Sequence, residues 1–141
     1  MSAATALQAG ELLGRAPAGY AREGTLSREE FLAQANRVSG RTVATVEQAV
    51  SVLEWFALQA GSVTATVESV PAGLTVRYHR TYREASPNDP TVTTDGRENL
   101  DVPTYYVFEA RDPYTGRIEQ QTKNCLRGCT VRFVFARPPP P

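Results

Sequence analysis

The hydrophobic residues of this chain change their spacing near Gly61. Before this glycine, apolar residues recur every three or four positions in two segments; after it, apolar and polar residues alternate. Helical spacing places apolar side chains along one side of a helix, whereas alternation places them on one face of a strand. Because the helical segments come first and the strands follow, the order predicts an α+β fold with an antiparallel sheet.

Two capped helices are predicted ahead of this change, and together they form a helical hairpin. Ser27 with Glu30, and Thr45 with Gln48, have the spacing of a capping box. In this motif the hydroxyl accepts a hydrogen bond from a free backbone N–H, and the side chain three residues later reaches back to the cap residue. Both helix starts are therefore marked by specific side chains.

The second predicted helix is apolar on more than one side. Val46, Val50 and Leu53 lie along one stripe, and Trp55 and Phe56 widen the apolar surface beyond it. A helix of this kind is buried on more than one side. The sequence therefore predicts either a covering sheet or a dimer partner for this helix.

The second half of the chain predicts strands joined by turns. Residues 84–103 are rich in proline and acidic residues, which indicates a long loop with at most a short strand near Val92. Leu126-Arg127-Gly128 predicts a tight turn that joins the last two strands into a β hairpin. The predicted strands cover 62–70, 74–83, 105–110, 117–124 and 131–135.

The predicted organisation is one domain with a flexible segment at each end. No stretch approaches the roughly 20 apolar residues of a membrane span, and the first residues lack the basic leader of a secretory signal peptide. We therefore expect no membrane association and a cytoplasmic location by default. The predicted parts are a flexible N-terminal arm at 1–24, with a short helical turn around 6–13, a single α+β domain at 25–137, divided into a helical hairpin at 25–61 and an antiparallel β region at 62–137, and a proline-rich tail at 138–141.

The balance of charges restricts the nucleic-acid partners that the chain can have. Fifteen basic residues match fifteen acidic ones, whereas proteins that coat nucleic acid usually carry a basic excess. The most basic segment runs from Arg77 to Arg83, where a strand would place Arg77, His79 and Arg83 on one outward face. Two interpretations stay open: a ribbon that binds phosphates, or an edge strand protected by charge.

The two cysteines, Cys125 and Cys129, flank the predicted tight turn. Residues that face each other across such a turn can form a disulfide, and we favour this structural role over a redox pair or half of a metal site. A disulfide indicates an oxidising compartment, which leaves export open. With one histidine besides these two cysteines, the sequence predicts no metal site and no cofactor.

The helical hairpin resembles the HU/IHF family of histone-like DNA-bending proteins. Residues 29–35 (EEFLAQA), Gly40, Thr42 as a cap and residues 46–50 (VEQAV) follow the family's first two helices without a gap. A strand, a turn and a second strand follow in the family's order. The run 111–116 (RDPYTG) looks like the tip of the family's DNA-binding arm, while a β hairpin replaces the closing helix.

The resemblance implies a non-enzymatic, nucleoid-associated bacterial protein that binds double-stranded DNA. It also implies an intertwined homodimer formed through the two helices and contact of arginines with the minor groove, with a proline as a wedge between base pairs. The implied DNA-binding residues are Arg77, Arg80, Arg83, Arg111, Pro113 and Arg117.

Two other functions stay open. A protein–protein interaction or assembly module fits the neutral net charge and the tyrosines Tyr105, Tyr106 and Tyr114, which we expect to be exposed. A thiol enzyme that uses Cys125 and Cys129 ranks last, because no feature of the sequence indicates a lowered thiol pKa. No residue is predicted to be catalytic.

Overall fold

The structure is a computed structural model that describes residues 2–19 and 23–140. These residues form an α+β fold, as the order of the sequence predicts. The helices are α1 (Ala3–Leu13), α2 (Arg28–Ser39) and α3 (Val46–Leu58), and the strands are β1 (Val63–Val70), β2 (Thr75–Arg80), β3 (Thr91–Thr93), β4 (Gly96–Leu100), β5 (Tyr105–Arg111), β6 (Ile118–Asn124) and β7 (Cys129–Val134).

Hydrogen bonds at their ends define the two predicted helices. The Oγ of Ser27 accepts from the N–H of Glu30 at 3.2 Å, and the Oγ1 of Thr45 accepts from the N–H of Gln48 at 3.1 Å. At the end of α2, Gly40 adopts a left-handed conformation with φ of 67°. A residue with a Cβ would be strained there, so glycine is the suitable cap. The predicted caps at Ser27, Thr45 and Gly40 are confirmed, whereas Thr42, the cap that the family resemblance implies, lies ahead of α3, which begins at Val46 and ends at Leu58.

The prediction of a flexible N-terminal arm is wrong, because residues 3–13 of this segment form the helix α1, which is buried against the other helices. Ala6, Ala9 and Leu13 are fully buried, and α1 packs against both α2 and α3. Small side chains at this spacing let two helices approach closely, but they give only a weak hydrophobic signal in the sequence. For that reason the sequence pattern did not predict the helix α1. Residues 20–22, which the prediction included, lie outside the described residues.

The seven strands form two sheets that pack face to face. One sheet has the order β4-β1-β7, and the other has the order β3-β2-β5-β6. Buried side chains from both sheets form one hydrophobic core between them, and Val67, Phe108 and Phe133 are among its fully buried members. The molecule therefore consists of a three-helix layer joined to a small β sandwich.

The final strand does not form the predicted hairpin with the strand before it. β6 pairs with β5 in one sheet, whereas β7 crosses to the other sheet and runs parallel to β1, with Val67 beside Val131. The crossing places Val131 and Phe133 in the core between the sheets. Burial of these side chains decides the pairing, so the predicted antiparallel β region contains one parallel pair.

The predicted long loop at 84–103 contains two strands. β3 pairs with β2, close to the predicted short strand near Val92, and β4 pairs with β1. The sequence of β4, GRENL, has one apolar residue and looks like a loop, but Leu100 fills the core. Backbone pairing with β1 stabilises a strand that its own composition does not predict.

A few specific contacts join the helical layer to the sandwich. Tyr82 and Val102 come from the β region but belong to the core of the helical layer. The hydroxyl of Thr104 donates to the carbonyl oxygen of Gly10 at 2.7 Å. A Cβ at Gly10 would overlap the carbonyl oxygen of Pro103, so α1 can approach the sandwich closely only with glycine at this position.

Within the described residues, no helix combines the length and the apolar character needed to cross a membrane.

Candidate functional site

The hairpin formed by β5 and β6 is exposed to solvent at its closed end. Ile118, Glu119 and Gln120 are all exposed, so both faces of β6 lie in solvent over its first three residues. The loop before them is exposed from residue 113 onward. Tyr114 and Ile118 are 39% and 48% exposed. These two side chains therefore offer apolar surface to solvent at one end of the molecule.

Hydrogen bonds hold the loop of this hairpin in one conformation. The Oδ1 of Asp112 accepts from the backbone N–H groups of Tyr114 at 2.8 Å and Thr115 at 3.3 Å. These bonds, the one from Tyr114 first, lower the pKa of the Asp112 carboxyl. Gly116 turns the chain with φ of 77°, and its carbonyl oxygen accepts from Nη1 of Arg111 at 2.9 Å. The tip is therefore ordered before any partner binds.

Four of the six predicted DNA-binding residues lie at this end of the molecule. Arg77 and Arg111 line one shallow cavity of about 390 Å³ on the four-stranded sheet. Pro113 and Arg117 belong to the adjoining loop, and both are exposed. The sequence alone does not bring Arg77 close to the others; the pairing of β2 with β5 does, since it sets Arg77 opposite Glu109.

The other two predicted DNA-binding residues are bound to a carboxylate of α3. Arg80 and Arg83 each place a guanidinium nitrogen 2.9 Å from a carboxylate oxygen of Glu54. The hydroxyl of Tyr82 donates to the same carboxylate. Glu54 is thus held by three side chains, and the two arginines hold the helical layer against the sandwich. The structure does not bring these two arginines together with the hairpin arginines, because the end of β2 and the residues after it place them beside α3.

The charges around the hairpin tip are balanced. The three arginines of this end are accompanied by three acidic residues, of which Glu109 accepts a hydrogen bond from Nε2 of Gln120 at 2.9 Å. A surface that neutralises phosphates usually carries a clear positive excess. The acidic residues are Glu109, Asp112 and Glu119.

The predicted exposure of the tyrosines holds for one of them. Tyr114 is exposed at the hairpin tip, whereas Tyr106 is buried in the sandwich core and Tyr105 is half-buried. Tyr106 donates its hydroxyl to the carbonyl oxygen of Val102 at 2.8 Å. Sequence reasoning did not single out Ile118, because one isoleucine at the start of a polar strand carries no distinctive pattern.

The two cysteines form a disulfide at the point where the chain changes sheets. Cys125 follows β6 in one sheet, and Cys129 begins β7 in the other. The bond therefore fastens the crossover between sheets and not the hairpin that the sequence predicts. Cys125 is fully buried, which limits access of other molecules to its sulfur.

α1 covers part of the second apolar side of α3. Phe56 is buried in the helical core, to which α1 contributes Leu12 and Leu13. The family resemblance implies a homodimer that covers Trp55 and Phe56, and α1 covers Phe56 within one chain. Trp55 and Leu58 stay 52% and 44% exposed beside it.

A second cleft of about 560 Å³ lies between the end of β2 and the segment that leads to β3. Its walls carry both signs of charge, with Arg80 and Arg83 facing Glu84, Asp89 and Asp101. His79 also lines this cleft and is 8% exposed, although the alternation of the sequence placed it on the outer face. Among the described residues, no three His, Cys, Asp or Glu side chains are grouped to hold a metal ion.

No protein-family model matches this chain, and a comparison with curated proteins finds no match.

Proposed function

We propose that this protein is not an enzyme and that it binds a protein partner through the end of the β5–β6 hairpin. The exposure of Tyr114, on a loop held by hydrogen bonds, and of Ile118, the first residue of β6, supports this function above all. Tyrosine and arginine dominate the binding energy of protein interfaces, and both are present at the tip. An ordered loop also lowers the entropic cost of association.

The balanced charges favour a protein partner over a nucleic acid. Exposed arginines beside carboxylates can exchange their intramolecular contacts for matched contacts on a protein surface. On DNA, the carboxylates of Glu109 and Glu119 would repel the phosphates that Arg111 and Arg117 attract. A contact through apolar groups also predicts a complex that tolerates moderate salt.

Site-specific crosslinking tests this proposal. A photoreactive amino acid at Tyr114 is expected to crosslink one defined protein in the cells that make this chain, and the same group at Glu29, exposed on α2, is the matched control. Tyr114→Ala is then expected to weaken binding of the identified partner at least about tenfold, as for a tyrosine hot spot. Equal crosslinking from both positions would contradict the proposal.

DNA binding of the HU-like kind is the second candidate. It is supported by the proximity of Arg77 and Arg111 to the exposed loop residues Pro113 and Arg117 at the end of a two-stranded ribbon. Such a ribbon can enter a minor groove and insert an apolar residue between base pairs. Two features differ from what the family resemblance implies. The net charge of the chain is zero, and α1 packs on α3, where a second copy would lie in a helix-mediated homodimer.

A salt series distinguishes the two candidates. Fluorescence anisotropy of a labelled duplex should show binding that weakens steeply with salt if arginines neutralise phosphates. Each of Arg111→Ala and Arg117→Ala should then lower the logarithmic salt slope by about one. Absence of binding at low salt would remove DNA and leave the protein partner.

The disulfide also bears on location. Disulfides persist in oxidising compartments, so we propose that the chain works there and not in a nucleoid.

A further inference from the structure

The outer edge of β6 is a strand edge with no neighbour in its own sheet. β6 is the last strand in the order β3-β2-β5-β6, and within the described part of the chain no strand pairs with its far side. It is seven residues long. Exposed edges of this length can add a further strand, and proteins usually protect them with charges or prolines.

The hydrogen bonds of β5 show which residues of β6 direct their backbone groups outward. The N–H of Thr81 donates to the carbonyl oxygen of Tyr105 at 3.1 Å, and the N–H of Asp112 donates to that of Arg117 at 2.8 Å. In an antiparallel ladder, successive residues direct both backbone groups to alternate sides. The odd-numbered residues of β5 therefore face β2, and the even-numbered ones face β6.

The same alternation continues in β6. Ala110 lies opposite Glu119 and Phe108 opposite Gln121, so these β6 residues direct their N–H and C=O groups toward β5. The residues between them direct the same groups away from the sheet. The outward residues of β6 are Ile118, Gln120, Thr122 and Asn124.

The side chains of β6 are arranged so that the strand complements itself. If two copies pair antiparallel around a two-fold axis at Gln121, Ile118 lies opposite the partner's Asn124 and Gln120 opposite the partner's Thr122. These pairs join outward residues to outward residues, as hydrogen bonding requires. The same register sets Glu119 opposite the partner's Lys123, and the two-fold axis repeats this pair of opposite charges.

The positions of Glu119 and Lys123 in the new ladder strengthen the attraction between them. Glu119 and Lys123 occupy non-hydrogen-bonded positions of the new ladder, where facing side chains approach most closely. Lys123 is the only lysine of the chain. Charges on an edge strand usually oppose pairing, but in this register each charge meets its opposite.

We propose that two copies of this chain associate through β6, by antiparallel pairing centred on Gln121, into one continuous eight-stranded sheet. The observation that carries the proposal is the agreement of hydrogen-bonding direction and charge in a single register. This contact differs from the helix-mediated dimer of HU-like proteins. It shares Ile118 with the surface proposed for a protein partner but does not involve Tyr114 or the exposed loop, so the crosslinking test at Tyr114 and the test of the dimer remain separate.

Sedimentation equilibrium of the full chain over a wide concentration range tests the dimer. A single pair of strands buries less than a standard protein interface, so we expect a dissociation constant on the order of micromolar. Lys123→Glu sets like charges opposite each other twice and is expected to weaken the dimer at least about tenfold. The double variant Glu119→Lys with Lys123→Glu restores opposite charges and should return the constant to within about threefold of the original.

Two further variants test the edge itself. Thr122→Pro removes an outward N–H that the single chain does not use in β5–β6 pairing; it is expected to leave the fold intact and abolish the dimer. Arg97→Glu reverses an exposed charge on β4 in the other sheet and should change nothing. Amide hydrogen exchange should show protection of Gln120 and Thr122 at high concentration that is lost on dilution.

Two results would overturn the proposed β6 dimer. A chain that stays monomeric at every concentration overturns the proposal. A dimer that survives both Thr122→Pro and Lys123→Glu also overturns it and locates the interface elsewhere, with exposed Trp55 on α3 as the next position to test. Neither result affects the crosslinking test at Tyr114.

Discussion

Close contact at Gly10 gives this residue a role that its position in a helix does not indicate. In an exposed helix, replacing glycine by alanine stabilises by roughly 1 kcal/mol. Here the added Cβ would overlap the carbonyl oxygen of Pro103 and approach Leu126. The methyl group would push α1 away from the sandwich and weaken the hydrogen bond from Thr104.

We therefore expect Gly10→Ala to destabilise the protein by about 1–3 kcal/mol, since forcing a methyl group into a packed site costs that much. Urea unfolding monitored by circular dichroism measures the effect. Gln8→Ala, at an exposed position of the same helix, is the matched control and should change stability little. A gain of stability in Gly10→Ala would show that α1 is not held this closely.

Three buried tyrosines should make the free energy of unfolding depend on pH in the alkaline range. Burial is the largest cause that raises the pKa of Tyr78, Tyr82 and Tyr106, because a phenolate loses solvation in the interior. A hydrogen bond to Glu54 raises the pKa of Tyr82 further. Since the folded pKa lies above the unfolded value, the contribution to stability is complete below the unfolded value and declines above it.

The free energy of unfolding should accordingly fall as the pH rises above about 10, the unfolded pKa of tyrosine. Urea titrations at a series of alkaline pH values measure this slope. Tyr82→Phe removes one of the three groups and should make the slope shallower, although it also removes a hydrogen bond at every pH. A slope identical to that of the original protein would exclude Tyr82 as a contributor.

Among the elements, β7 depends most on its surroundings. It leaves the sheet of β6, crosses to the other sheet and pairs with β1 in parallel. The turn between Cys125 and Cys129 makes this change of direction, and the disulfide holds its two ends together. Val131 and Phe133 then stabilise the strand by burial in the core.

Reduction of the disulfide is expected to lower the free energy of unfolding by about 2 kcal/mol, the chain-entropy effect of a five-residue loop. Urea titrations with and without a reductant measure this difference. Cys129→Ser cannot form the bond, so its stability should not respond to the reductant. If the original protein responds no more than this variant, the disulfide does not stabilise the fold.

At the scale of the whole molecule, the helical layer and the sandwich are joined by few groups. Glu54 on α3 accepts from Arg80, Tyr82 and Arg83, and Thr104 donates to Gly10. The carboxylate of Glu54 is largely removed from solvent, whereas its two arginines are partly exposed. These contacts should make the two layers unfold together.

Glu54→Gln tests this coupling. Loss of the charge should cost about 1.5–3 kcal/mol, the range for hydrogen bonds to a charged group. Fluorescence of Trp55, the only tryptophan, reports on the helical layer, and far-ultraviolet circular dichroism reports on both layers. The two curves should coincide in the original protein and separate in the variant. Glu47→Gln, exposed on the same helix, is the control.

Several elements are predictable from local signals in the sequence. The caps at Ser27 and Thr45, the glycine after α2 and the alternation in most strands predict their positions closely, because backbone geometry and neighbouring residues produce these features. The turn before β6 and the proximity of Cys125 to Cys129 are local in the same way. The α+β class follows from their order.

The way in which these elements combine depends on packing between residues that are distant in sequence. α1 became a core helix because close packing rewards the small side chains of Ala6 and Ala9, which have little hydrophobic signal of their own. β7 joined β1 because burial between the sheets outweighed the short connection to β6. Arg80 binds Glu54 and lies apart from Arg111 because the two layers pack in this way. No local pattern encodes contacts between residues that are distant in sequence.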